Sequence, residues 1–99
     1  MHVISKKPLR EFANTHADAR TPLGAWLKLA EHGMFRNLAE LKQTFRSADM
    51  VPVKGNEFYV FNIGGNKYRL IAAVHFNTQM LFIRHVLTHA EYSTERWKK

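Results

Sequence analysis

The residues of this chain best suited to chemistry are two arginines and the histidine and tyrosine that follow them. Arg69 and Arg84 interrupt runs of apolar and β-branched residues typical of strands, and the second run leads directly into His89 and Tyr92. A guanidinium group donates two parallel hydrogen bonds to phosphate oxygens, and an imidazole changes its protonation state near neutral pH. These residue types, in this order, predict a surface that holds a phosphodiester.

Three helices precede these strands and are expected to support them. The first should begin at Ser5, whose side chain can cap it, after a short strand at Val3-Ile4. The second should start at Thr21-Pro22 and stop at Gly33, a common residue at helix ends. Asn37 begins a capping-box pattern that predicts the start of the third.

Three strands are expected after Pro52, which ends the helical half of the chain. They are Phe58–Ile63, Lys67–Phe76 and Met80–Leu87, all rich in aromatic and β-branched residues. Gly64-Gly65 can adopt the positive φ angles of a tight hairpin between the first two. The predicted order is one strand, three helices, three strands and a short tail. This is an α+β fold with the N-terminal helices packed on one face of an antiparallel sheet.

The register of this sheet decides where the arginines point. Two-residue turns would place Arg69 opposite Val60 and Arg84 opposite Ile71, so the two arginines become diagonal neighbours on one face. The other face is apolar, includes Leu87, and is expected to pack on the helices. Neighbouring cations repel each other, and a bound anion would relieve that repulsion. Solvated arginines, or arginines paired with carboxylates, are the alternative.

Composition indicates one basic globular domain over residues 1–99. A net charge of +7 favours a polyanionic partner, most commonly nucleic acid, although a basic protein that binds an acidic protein is the alternative. The chain has no cysteine, which excludes disulfides and thiolate metal sites. No long apolar run is present, so we expect neither a secretory signal nor a membrane span, and a cytoplasmic location.

The segment Asn62–Tyr92 carries the pattern NxGGNxxRLIAxxxFxxxxxxIRxVxTHxEY, which resembles the HigB toxin family of bacterial toxin–antitoxin systems. The similarity extends over the opening MHVISKKPL and the helical half. The resemblance implies a RelE-like compact domain. It also implies an mRNA interferase: a ribosome-dependent, metal-independent endoribonuclease that cleaves messenger RNA in the A site, with no cofactor. The implied partners are messenger RNA, ribosomal RNA and a HigA-type helix-turn-helix antitoxin, through which alone operator DNA would be reached.

Each candidate catalytic residue then has a chemical task. Arg69 and Arg84 are assigned to stabilising the negative charge of the transition state. His89 is the acid–base candidate, and Tyr92 could stack on a base or orient the 2′-hydroxyl. Lys67 is a plausible phosphate contact. The acid–base assignment among His89, Tyr92 and Lys67 stays open.

Further contacts with RNA are expected from polar and cationic residues around this set, namely Asn62, Asn66, Lys67, Thr88, Lys98 and Lys99. Trp97 could cap the core, meet the antitoxin or stack on RNA. No two of the six histidines lie four apart on a predicted helix, and His85 and His89, which have that spacing, fall across a strand end, so no metal site is expected. The alternative functions are a basic protein-interaction domain and a non-catalytic RNA-binding module, which would need a long basic C-terminal helix.

Overall fold

A five-stranded sheet forms the centre of the computed structural model, which describes residues 1–99. The strands lie in the order β1-β5-β4-β3-β2. Their bounds are His2–Ile4 (β1), Asp49–Val53 (β2), Asn56–Ile63 (β3), Tyr68–His75 (β4) and Met80–Thr88 (β5). Strands β2 to β5 form an antiparallel meander, and β1 pairs with β5 in parallel. The predicted α+β class is confirmed.

The helices are Lys7–Thr15 (α1), Arg20–His32 (α2), Leu38–Thr44 (α3) and His89–Ser93 (α4), with 3₁₀ turns at Ala17–Ala19 and Arg96–Lys98. None is both long and apolar enough to cross a membrane. The first three precede the meander in the chain, and their apolar residues share one core with one face of the sheet. The sheet thus has one face buried under helices, as predicted.

Aromatic side chains dominate this core. Trp26 of α2 is 4% exposed and meets Phe61 of β3 edge-on, with ring centroids 5.4 Å apart. Phe45 packs against the same Phe61 ring at 5.2 Å. Each large side chain buried in this way contributes roughly 1.5–3 kcal/mol to stability. Trp26 therefore belongs to the core.

Helix ends were predicted with mixed success. The Asn37 side chain accepts a hydrogen bond from the Glu40 N–H at 2.9 Å, which confirms the start of α3. Ser5 caps nothing, because it has a positive φ of 64° and Lys6 is the residue that precedes α1. The expected start of α2 at Thr21 is also wrong, because the preceding 3₁₀ turn runs straight into that helix.

The strand β2 was not predicted. Its sequence contains Pro52, which lies opposite Glu57 of β3. Proline cannot donate to a ladder and is tolerated at the edge of a sheet, where one side of the strand has no partner. Pro52 therefore lies inside an edge strand and does not mark the boundary before the sheet.

The β3–β4 hairpin has a longer turn than predicted. Residues 64–67 form the turn, and Arg69 lies opposite Asn62, two residues away from the predicted partner Val60. Both Gly64 and Gly65 have positive φ angles, as expected for a tight turn. A shift of two residues preserves the alternation of side chains, so Arg69 keeps its predicted face.

A β-bulge in β5 changes the pairing at Arg84. Near the β4–β5 turn the predicted register holds, with Ala72 opposite Ile83. Arg84 then has no partner, because Ile71 lies opposite His85 and not opposite Arg84 as predicted. A bulge sets two residues against one and displaces the alternation that follows it.

The displaced alternation changes which residues of β5 enter the core. Val86 is buried with the core residues of the helical side, whereas Leu87, predicted for the core, is only partly buried and pairs with Arg69. The two arginines are therefore not diagonal neighbours. Arg84 lies three residues from Leu87 along β5, or roughly 10 Å at the rise of a strand.

Candidate functional site

The C-terminal segment is attached to the end of β5 by a capping box. Thr88 Oγ1 accepts from the Glu91 N–H at 3.1 Å, and Glu91 Oε1 accepts from the Thr88 N–H at 2.9 Å. The His89 N–H donates to the Lys67 carbonyl at 3.0 Å. These bonds hold α4 against the β3–β4 turn, which brings Tyr92 to Arg69.

Arg69 is the one charged side chain in the buried class, at 8% exposure. One terminal nitrogen donates to the carbonyls of Tyr68 at 3.1 Å and Asn66 at 3.2 Å, and the other donates to Asn66 Oδ1 at 2.6 Å. Its Cζ atom lies 5.6 Å from the centre of the Tyr92 ring. No carboxylate pairs with it, so a full positive charge is held in place by neutral acceptors.

Arg84 differs from Arg69 in exposure and in hydrogen bonding. It is exposed and makes no side-chain hydrogen bond or ion pair. It lines three adjoining surface cavities of about 360, 220 and 510 Å³. Arg69 lines none of them. Arg84 is thus the arginine free to contact a ligand directly, and Arg69 lies behind Tyr92.

His85 is the residue that sequence reasoning missed. Simple alternation puts it on the same face as Ile83, but the bulge gives it cavities in common with Arg84. Packing around the ring, and then the Arg84 charge, lower the pKa of His85. The shift favours the neutral imidazole, which is the form that can accept a proton. The sequence contains no signal for the bulge, so it contains none for His85.

Lys67 is engaged in an ion pair. Its Nζ lies 2.8 Å from Asp18 Oδ2, and the Tyr68 hydroxyl donates to the other oxygen of the same carboxylate. The bonds from Lys67 and Tyr68 lower the pKa of Asp18, and the carboxylate raises the pKa of Lys67 in return. An ammonium group stabilised in this way suits a charge contact better than proton transfer.

Three aromatic rings cover the end of the site. Trp97 stacks on Tyr92 with ring centroids 5.5 Å apart and planes 14° apart, and its Nε1–H donates to the Tyr92 carbonyl at 3.2 Å. The edge of Phe58 meets Trp97 at 6.3 Å. Tyr92 is thereby held between Trp97 and the Arg69 guanidinium.

The remaining predicted residues fall into two groups. Asn66 binds Arg69, and Asn62 is exposed directly opposite Arg69 on β3. Lys98 and Lys99 line the 220 Å³ cavity together with Arg84. The structure thus assembles an inner group around Arg69 and Tyr92 and an outer group around Arg84.

Thr88 and His89 join β5 to α4 next to the β3–β4 turn. His89 is exposed as the first residue of α4, with Nδ1 3.5 Å from Ser93 Oγ, and Thr88 is the cap of that helix. No three His, Asp or Glu side chains come close enough together to ligate a metal ion. His89 lines none of the cavities that Arg84 lines, so the structure does not bring this predicted acid–base residue next to that arginine.

Residues 19–95 match a family model described as HigB toxin, the RelE-like toxic component of a toxin–antitoxin system. The chain belongs to the HigB toxin family. The mRNA interferase toxin HigB of Escherichia coli (strain K12) is 38% identical over 92 residues, which cover 93% of this chain and 88% of that protein. The mRNA interferase HigB of Escherichia coli O6:H1 is 32% identical over the same shares of the two chains. A toxin of this family has an antitoxin as its partner.

Membership of the HigB family confirms the resemblance drawn from the Asn62–Tyr92 pattern. The fold agrees as well, because α1 to α3 pack on one face of the meander and leave the other to the C-terminal segment. A module that binds double-stranded RNA would need a long C-terminal helix, and α4 has five residues.

Proposed function

We propose that this protein is an mRNA interferase that cleaves messenger RNA in the ribosomal A site without a metal ion and is neutralised by a HigA-type antitoxin. The observation that carries the proposal is similarity to curated mRNA interferases along 93% of the chain. Physical support comes from an exposed, unpaired arginine beside a histidine, in a groove lined by further cations. The cytoplasm is the compartment that such an activity requires.

The reaction we propose is attack of a ribose 2′-oxygen on the adjacent phosphorus. The 2′-hydroxyl loses its proton to a base, the new P–O2′ bond forms, and the P–O5′ bond breaks. The products are a 2′,3′-cyclic phosphate and a 5′-hydroxyl, whose oxygen takes a proton from an acid. No oxidant, metal or cofactor enters this balance.

Charge stabilisation falls to the arginines. Arg84 can place its guanidinium against the non-bridging oxygens, because the group is exposed and makes no other hydrogen bond or ion pair. Arg69 is already fixed by Asn66 and Tyr68, so its charge needs no reorganisation when the phosphate becomes more negative. It acts on the phosphate across Tyr92, or directly once Tyr92 moves.

Proton transfer is assigned to ionisable side chains of α4 and β5. His89 and Tyr92 remain the proposed acid–base residues, and the neutral imidazole of His85 joins them as a proton acceptor next to Arg84. Lys67, paired with Asp18, contributes charge. Asn62, Asn66, Thr88, Lys98 and Lys99 are proposed to position the RNA strand.

The antitoxin is proposed to act on the same surface. A polypeptide that covers the outer group around Arg84, or displaces Tyr92 from Arg69, would remove the site from RNA. Acidic side chains are expected in that polypeptide because the toxin carries a net charge of +7.

The proposal is tested by mapping RNA ends after brief expression of the wild type and of Arg84→Ala. The wild type should leave 5′-hydroxyl ends spaced in frame within translated regions, and Arg84→Ala should lower cleavage on the order of a hundredfold or more. Cleavage of a purified message should require added ribosomes. Ends carrying 5′-phosphate, or equal cleavage of naked and ribosome-bound message, would contradict the proposal.

A further inference from the structure

The two tryptophans of this chain have opposite environments. Trp26 is enclosed in the core, whereas Trp97 is only half-buried, in the last 3₁₀ turn. Trp97 is not part of the core of the helical side. Its ring stacks on Tyr92 and meets Phe58, and the Lys98 ammonium lies over it. Its indole is held in one orientation by stacking and a hydrogen bond while part of its surface faces solvent.

Trp97 borders two surface cavities. It shares one, of about 220 Å³, with Arg84, Lys98 and Lys99. It shares the other, of about 340 Å³, with Thr94 and Arg96. His85 lines both cavities as well.

The charges around this ring are mainly positive. The two cavities beside Trp97 are lined by five cations, which are Lys54, Arg84, Arg96, Lys98 and Lys99, against the single carboxylate of Glu91. A flat aromatic surface flanked by cations is the arrangement that grips single-stranded RNA, since bases stack while phosphates meet the charges.

We propose that Trp97 is a stacking platform for one base of the RNA strand that runs past Arg84. The inference rests on the proposed ribonuclease function and adds a nucleobase subsite to it. Because Trp97 stacks on Tyr92 and Tyr92 contacts Arg69, the base, the two rings and the buried guanidinium form one continuous column.

The Lys98 ammonium is the group that such a base would displace or join. It lies 5.5 Å from the centre of the Trp97 ring and 2.9 Å from Glu95 Oε1. An exposed ion pair of this kind contributes little to stability, so its rearrangement opposes binding only weakly. Once released from Glu95, Lys98 can reach a phosphate next to the stacked base.

The test measures binding of short single-stranded oligonucleotides with 2′-O-methyl sugars, which cannot be cleaved. Affinity is followed at low salt for the wild type, for Trp97→Leu and for Trp97→Phe, which retains a flat ring. Each variant is also tested with oligonucleotides that lack one base at successive positions. Urea unfolding of all three proteins shows whether a loss of affinity reflects a loss of folding.

If the proposal is right, Trp97→Leu weakens binding on the order of tenfold or more, and Trp97→Phe recovers most of the loss. Removing one particular base should weaken wild-type binding to a similar extent and have little further effect on Trp97→Leu. Equal affinities for all three proteins, or an identical penalty for the missing base in the wild type and Trp97→Leu, would overturn the proposal. Absence of any binding by the folded wild type would also overturn it.

A role in antitoxin binding alone is distinguished by co-purification. If Trp97→Leu loses the antitoxin while its oligonucleotide affinity is unchanged, the subsite is wrong and Trp97 is an antitoxin contact. Because the oligonucleotides cannot be cut, failure of the proposed ribonuclease function is detected separately, in the ribosome-dependent cleavage assay.

Discussion

Replacing each arginine by alanine should separate a residue that supports the fold from one that serves only the reaction. Arg69→Ala removes the three hydrogen bonds to Asn66 and Tyr68 and the contact with the Tyr92 ring. Arg84→Ala removes an exposed side chain with no partner. Both changes should abolish cleavage, but only the first should destabilise the protein.

The magnitude follows from these contacts. The bond from Arg69 to the buried Tyr68 carbonyl is charge-assisted, and its loss costs about 1.5–3 kcal/mol. The Tyr92 contact adds about 0.5–1 kcal/mol, while water can replace much of the partly buried bonding to Asn66. A total near 3 kcal/mol corresponds to a fall in Tm of roughly 10–20 °C for a domain of this size. The change at Arg84 should stay within about 0.5 kcal/mol.

The assay is urea unfolding of the purified variants together with cleavage of ribosome-bound message per folded molecule. Leu23→Ala is the control of matched stability, since it empties a core position in α2 at a cost of about 2–5 kcal/mol. That variant should keep its cleavage wherever it is folded, whereas Arg69→Ala should not.

Two results would refute this reasoning. An unfolding midpoint for Arg69→Ala equal to that of the wild type would mean that its buried contacts contribute nothing. Full cleavage by folded Arg69→Ala would remove the residue from the reaction and leave it a structural role only.

Three further substitutions have defined outcomes. Gly33→Ala should destabilise by roughly 1–3 kcal/mol in urea unfolding, because the new Cβ would lie 2.3 Å from Phe35 Cζ; an unchanged midpoint would contradict that close approach. Asp18 has a lowered pKa, so its contribution to the unfolding free energy is present near neutral pH and is lost as pH falls below about 4. Asp18→Asn should therefore show a weaker dependence of the unfolding free energy on acid pH. The same dependence in the wild type and the variant would count against the ion pair. His85 also has a lowered pKa, so the unfolded chain binds a proton there more readily than the folded chain. The unfolding free energy of the wild type should therefore fall as pH drops below about 6.5, and His85→Gln should weaken this pH dependence. The same pH dependence in both proteins would argue against the described environment of His85.

Local chemistry made some parts of the fold predictable. Asn37 caps α3 because a side-chain oxygen placed just before a helix accepts an orphan N–H whatever lies further away. Gly33 ends α2 as expected, but for a different reason. Its φ is −88°, which any residue can adopt, and what excludes a side chain is the Phe35 ring. The sequence predicted that the helix ends at Gly33, but the reason for a glycine there depends on tertiary packing.

Edge strands and bulges were not predictable, because their cause is not local. Strand β2 forms only because β3 offers it an unpaired edge, which lets Pro52 lie in a ladder. The bulge at Arg84 accompanies the burial of Val86 in the core, and it leaves the exposed arginine without a partner in the ladder. Neither depends on a pattern that a single stretch of sequence displays.

By itself, the sequence determined the α+β class, the basic character of the domain and the resemblance carried by residues 62–92, because each depends on residue types and spacing along the chain. Tertiary structure alone decided that Arg69 is buried, that Arg84 is free and that His85 and Trp97 line the same cavities. Those outcomes depend on the bulge in β5 and on the packing of the C-terminal segment over Arg69. Both arise only when distant parts of the chain come into contact.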